Sequence, residues 1–165
     1  MIIEFKEDKI NDIAEAQVLA WKAAFEGILG EKVLSTLAVK KFAENWKRIL
    51  DQKERKNYIW IDEFGKGLGF ISFGKPKDKN ESASIEIYGI YVHPDYWGKE
   101  IGYKLMVFAI NSICQLKPSA KIVLWTMNKN KLSKKFYNRF GFRLNGNSRT
   151  SRRNDESFDE VQFEL

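Results

Sequence analysis

Cysteine and histidine are almost missing from this chain: of its 165 residues, one is Cys114 and one is His93. A lone cysteine excludes an internal disulfide framework. With a lone histidine it leaves too few soft ligands for a zinc site, so no metal is expected. Proline is scarce too, with three residues. There is no Pro- or Gly-rich linker, low-complexity segment or internal repeat, and the expectation is a single domain over residues 1–165, long enough to bury a core. No apolar run approaches the ~20 residues of a membrane helix. The N-terminus, MIIEFKEDKINDI, carries early acidic residues and no hydrophobic signal region. These absences point to a cytoplasmic protein with no membrane partner.

Hydrophobic residues make up 44% of the chain and aromatics 14%, which argues against disorder. The formal net charge is +6, an excess that suits a polyanionic small molecule. The only dense basic cluster, Arg149, Arg152 and Arg153, lies in the polar stretch NGNSRTSRRNDES, which reads as a loop. Asp155 and Glu156 follow at once, and the pattern does not favour nucleic acid as a partner.

Periodicity predicts the elements. Ile2–Phe5 reads as a short strand. Asn11 or Asp12 would cap a helix carrying Ile13, Ala16, Leu19, Ala20, Ala23 and Ala24 at helical spacing, broken by Gly27 and Gly30. A second helical stretch runs near Glu31–Leu50. Asn57–Glu63 and Leu68–Phe73 read as strands around the Gly65-Lys66-Gly67 turn, and Lys75–Asn80 as a polar turn. Ile101, Leu105, Phe108, Ala109 and Ile113 form one helix face, with Cys114 expected as a small buried hydrophobe. Lys121–Thr126 reads as a buried strand, and Leu132, Phe136 and Phe140 as a helix stopped by Gly141. Arg143 onward and Val161–Leu165 close the chain as strands. The order implies an α+β, three-layer domain: a mixed, mostly antiparallel sheet of about seven strands with helices on both faces.

The most informative stretch is IEIYGIYVHPDYWGKEIGYKL, residues 85–105. A strand ends at His93-Pro94 and a helix opens on Gly98-Lys99-Glu100-Ile101-Gly102, where unpaired backbone N–H groups and the helix dipole favour an anion. Within the strand the apolar residues change phase, from Ile85 and Ile87 to Ile90 and Val92. Either a β-bulge at Gly89 absorbs the slip, or the strand is buried on both faces.

These residues resemble the GNAT superfamily of N-acetyltransferases. That family has a bulged fourth strand, a V-x-P turn and a Q/R-x-x-G-x-G/A pyrophosphate loop opening a helix. Tyr91-Val92-His93-Pro94 matches the turn. Gly102 matches the loop, while Trp97 stands where the family has Gln or Arg and Glu100 where it has its first Gly. A second family segment, N-x-x-A-x-x-x-Y-x-x-x-G-F, is matched by Asn130, Tyr137 and Gly141-Phe142, with Ser133 for the Ala. Residues 20–30, AWKAAFEGILG, are similar to the A-W-x-x-x-Y/F-x-G-I-L stretch of some small members.

The resemblance implies an acetyl-CoA-dependent enzyme, with acetyl-CoA as co-substrate and a primary amine as acceptor. It implies that Gly98, Lys99, Glu100, Ile101, Gly102 and Tyr103 hold the pyrophosphate through backbone amides. Ile90, Tyr91 and Val92 would pair with pantetheine, the Val92 N–H would polarise the thioester carbonyl, and Asn130 and Tyr137 would complete the cofactor site. Tyr137 would also protonate the departing thiolate. Lys129, Lys131, Lys134 and Lys135 are available to a 3′-phosphate or to solvent. A glutamate among isoleucines, Glu86, is the candidate base; an outward-facing residue of an amphipathic strand gives the same pattern. Trp21, Phe25, Glu26 and Tyr88 are candidates for the acceptor pocket, although core packing accounts for Trp21 and Phe25 equally well. Members that acetylate protein N-termini often carry a glutamate five residues before the Asn; Trp125 stands there, which argues against that substrate class. The family often pairs through its C-terminal strands, so a homodimer is allowed. The competing expectation is a domain of this fold that binds acyl-CoA without transferring the acyl group.

Overall fold

The computed structural model describes residues 1–77 and 83–165. The elements in chain order are β1 (Ile2–Glu4), α1 (Ile10–Phe25), α2 (Glu31–Ser35), α3 (Val39–Leu50), β2 (Arg55–Ile61), β3 (Gly67–Gly74), β4 (Ser84–Val92), α4 (Ile101–Leu116), β5 (Lys121–Met127), α5 (Lys131–Asn138), β6 (Arg143–Arg153) and β7 (Glu156–Glu164). The expected polar turn at Lys75–Asn80 lies partly outside the described residues.

Seven strands form one sheet in the order β1-β2-β3-β4-β5-β7-β6. All pairs are antiparallel except β4 with β5. Helices cover both faces, as expected. On one face α4 presents Leu105, Met106, Ala109 and Ile113 to Ile71, Phe73, Ile87, Ile122 and Leu124. On the other, Ile13, Ala14 and Val18 of α1 and Trp46 and Ile49 of α3 pack on Ile59 and Phe70. The central strand β3 is buried along its whole length.

The bulge is present. Ser72 pairs with Gly89 but Phe73 pairs with Ile87, so Tyr88 is the extra residue. That insertion keeps Ile85, Ile87, Ile90 and Val92 all on the α4 face while Tyr91 packs toward α1 and α3. The phase change in the sequence is this single residue.

Four expectations are corrected. The helical stretch Glu31–Leu50 is two helices. Ser35 and Thr36 hydroxyls bond back to the carbonyls of Lys32 and Val33, competing with the helix ladder, and Ala38 is extended. Asp12 does not cap α1, which starts at Ile10; its carboxylate accepts the Gly67 N–H at 2.9 Å and ties α1 to β3. Cys114 is exposed, on the outer side of α4. NGNSRTSRRNDES is not a loop: it is most of β6, the turn at Asn154-Asp155 and the start of β7. β6 is the edge strand, exposed along nearly all its length, so no apolar alternation marks it.

Candidate active site

The ladder between β4 and β5 ends at Ile87 and Leu124. β4 stays paired to β3 up to Val92, and β5 stays paired to β7 up to Met127. Beyond Ile87 the two parallel strands therefore share no ladder, and a gap opens in mid-sheet. The His93 N–H donates to the Leu68 carbonyl at 2.8 Å, which fixes the alternation along β4. Tyr91 turns its backbone groups toward β3, so Ile90 and Val92 turn theirs toward the gap. The Val92 carbonyl accepts the indole N–H of Trp97 at 2.7 Å. Trp97 thus fastens the turn after β4 from the position where a Gln or Arg was expected.

That turn delivers the start of α4. Lys104 makes the first helical bond, to Glu100 at 2.9 Å, which leaves the N–H groups of Ile101, Gly102 and Tyr103 without helical partners. Gly98 has φ +79° and Glu100 φ +61°. A Cβ in the left-handed region costs about 1 kcal/mol, so Glu100 is strained where glycine would not be. Its carboxylate lies 3.4 Å from the Lys104 ammonium on an exposed surface. The Lys99 ammonium lies over the Tyr96 ring at 4.6 Å. At Gly102 an added Cβ would meet only ordinary contacts with Phe136 and Val92.

Two phenols border the gap from opposite faces of the sheet. Tyr137 of α5 is buried against Phe142 and Phe163, and burial pushes its phenol up to about 12. Tyr91 comes from the α1 face; burial raises its phenol as well, and the neighbouring Tyr137 adds to that. Asn130 is buried, and its side-chain oxygen accepts the Ser133 N–H at 3.0 Å. It caps α5, and so holds the helix that carries Tyr137. Ser133 in turn bonds Thr126 of β5 at 2.6 Å.

The remaining sequence candidates divide into two places. Trp21 packs edge-on against Phe25 at 4.9 Å and tilts over Tyr91 at 6.1 Å, so it borders the gap, with Phe25 buried behind it. Glu26 lines an open groove of about 960 Å3 between α1, α2 and the His93–Asp95 turn. Glu86 and Tyr88 lie toward the other end of β4. Buried Glu86 accepts the Lys77 N–H at 2.9 Å, while the Tyr88 hydroxyl donates to the Lys75 carbonyl and its ring carries the Arg55 guanidinium at 4.4 Å. The structure does not bring Tyr88 together with Trp21, Phe25 or Glu26.

Sequence reading missed the β6–β7 hairpin as part of the site. Glu156 accepts the Gly30 N–H on both carboxylate oxygens, at 3.1 and 2.9 Å, and the Asn154 side chain reaches Thr36 at 3.2 Å. Phe158 packs with Phe25, Leu29, Val33 and Met127. The hairpin tip is thereby fastened over α1 and α2, with Arg153 stacked on Trp21 at 4.4 Å. The one available signal was the Arg cluster beside an Asn-Asp pair, and nothing in its spacing says which face it covers.

The model of the acetyltransferase (GNAT) family matches residues 20–142. The chain is 28% identical over 127 residues to the uncharacterized N-acetyltransferase YuaI of Bacillus subtilis, covering 77% of this chain and 71% of that protein. It is 28% identical over 141 residues to a probable N-acetyltransferase of Mycobacterium tuberculosis, covering 84% and 76%. The crystal structure of the PaiA N-acetyltransferase of Thermoplasma acidophilum in complex with coenzyme A superposes with a TM-score of 0.72 at 18% identity, over 98% of this chain and 96% of that one. This last likeness is one of fold.

Proposed function

We propose, from the premise that this chain belongs to the GNAT acetyltransferase family, that it transfers the acetyl group of acetyl-CoA to a primary amine by direct attack in a ternary complex. The observation that carries this is the gap between β4 and β5, with the outward-turned N–H groups of Ile90 and Val92 on one wall and the buried Tyr137 phenol beside it.

The pyrophosphate binds the free amides at the start of α4, where they and the helix dipole offset its charge. The pantetheine arm then runs back along β4. It meets Val92 first, and its thioester end lies by Ile90, beside the bulge. The oxyanion donor is therefore the Ile90 N–H, one strand step earlier than the Val92 N–H expected from the sequence. A donor so placed lowers the barrier by about 3 kcal/mol.

The acceptor amine approaches from the Trp21 and Tyr91 side. Its nitrogen attacks the thioester carbon, the C–N bond forms, and the C–S bond breaks as the tetrahedral intermediate collapses. Tyr137 gives its proton to the departing thiolate. Because burial keeps that phenol neutral, it serves as an acid, not a base. The amine proton leaves through water to Glu86, which lies on the acceptor face of β4 below the bulge. The Asn130 cap keeps Tyr137 in place.

Thermal shift with acetyl-CoA, followed by a CoA-release assay over a panel of amines, tests this. Stabilisation by acetyl-CoA and amine-dependent CoA release are expected. Stabilisation without release on any amine would favour a domain that only binds acyl-CoA.

A further inference from the structure

Arg153 is a guanidinium in search of an anion. It sits at the end of β6, half-buried, stacked on the Trp21 ring at 4.4 Å and 5.7 Å from the Phe42 ring. Among the described residues it forms no ion pair, whereas Arg149 on the same strand is paired with Glu160 at 2.7 Å. Its position is not left to chance, since Asn154 and Glu156 on either side of the turn bond Thr36 and Gly30. A guanidinium held over an aromatic ring and left without an ion-pair partner can take a carboxylate in two parallel hydrogen bonds. Under it the Trp21 indole N–H is buried without a hydrogen-bond partner, although it lies close enough to the Tyr91 hydroxyl to favour that group's ionised form.

A paired carboxylate also acts on Tyr91. Glu160 of β7 is mostly buried, and Arg149 and Ser151 both bond its Oε2. Its Oε1 has no partner among the described residues. Tyr91 feels both groups: Glu160 raises its phenol further and Arg153 lowers it. The charge left without a counter-ion on the Trp21 side is that of Arg153, since Glu160 is paired with Arg149.

We propose that the acceptor is a free amino acid or a close amino-carboxylic acid, whose carboxylate is held by Arg153. This rests on the acetyl-transfer reading above and narrows its acceptor class. A polyamine, with no carboxylate, leaves Arg153 unpaired and repelled; a peptide N-terminus carries its carboxylate too far away.

The test uses matched acceptor pairs, each amino acid beside its own primary amide, in the CoA-release assay with the full chain. Loss of one charge-assisted pair is worth ~10–100-fold. Wild type should show kcat/KM higher by that factor for the acid of each pair, mainly through KM. Arg153→Gln should bring the ratio to within about twofold, and Arg153→Lys, which keeps the charge without the fork, should retain an intermediate preference. Thermal midpoints of both variants confirm that they fold. CoA release with equal or better rates on the amides, or an acid preference that survives in Arg153→Gln, overturns the amino-acid assignment and leaves acetyl transfer standing. No CoA release from any amine overturns both.

Discussion

At the scale of single residues the chain departs from its family where departure is costly. Glu100 occupies a left-handed position (φ +61°) at the mouth of the proposed pyrophosphate site, where it would combine backbone strain with like-charge repulsion. The strain is worth about 1 kcal/mol, and a carboxylate about 4 Å from a phosphate adds about 1 kcal/mol in bulk water. The exposed pair with Lys104 returns little of this. Glu100→Gly should raise the thermal midpoint by about 2–4 °C and tighten acetyl-CoA binding ~5-fold by calorimetry; unchanged or weaker binding would contradict the placement of the pyrophosphate. Tyr137 offers a second check. Its folded phenol titrates at about 12, above the ~10 of an exposed tyrosine. The folded state therefore binds this proton more tightly than the unfolded chain does. Its contribution to stability is complete below pH ~10 and is lost as pH rises from there through about 12. The acid form likewise persists through neutral and mildly alkaline pH. A fall in the CoA-release rate between pH 8 and 10 should survive in Tyr137→Phe unchanged in midpoint, since it belongs to another group.

At the scale of elements, the β6–β7 hairpin covers the proposed acceptor side, and among its fastenings is the Glu156 carboxylate on the Gly30 amide at the start of α2. Glu156→Ala should cost about 1 kcal/mol in stability and raise the acceptor KM several-fold, with the acetyl-CoA dissociation constant little changed; an equal loss of both affinities would mean that the hairpin supports the whole fold and not the acceptor side. This element was also the least legible. The other strands announced themselves through apolar residues, even the bulge through the slip between Ile87 and Ile90. β6 lies at a sheet edge with both faces largely in water, and a strand that buries nothing leaves no hydrophobic period to read. The break between α2 and α3 was hidden for a related reason. Leu37 is buried like its helical neighbours, so the apolar spacing runs on through a turn made by the Ser35 and Thr36 hydroxyls. Glu26 and Tyr88 were legible as polar or aromatic groups near the site motifs, but which wall each would face depends on helix ends and on the bulge, not on local pattern.

At the scale of the molecule, two hydrophobic layers on one sheet hold the β4–β5 gap open between them. Tyr137 reaches it from the α4 side and Tyr91 from the α1 side, with the start of α4 at its end. No helix among the described residues is long and apolar enough to cross a membrane. The proposed site depends more on where β4 and β5 stop pairing than on any motif glycine. The most direct test of the whole account is CoA release by Tyr137→Phe, measured beside its acetyl-CoA dissociation constant. With general-acid assistance worth ~100-fold or more, turnover should fall by that factor while the dissociation constant stays within about twofold of wild type. Wild-type turnover in Tyr137→Phe would contradict the account.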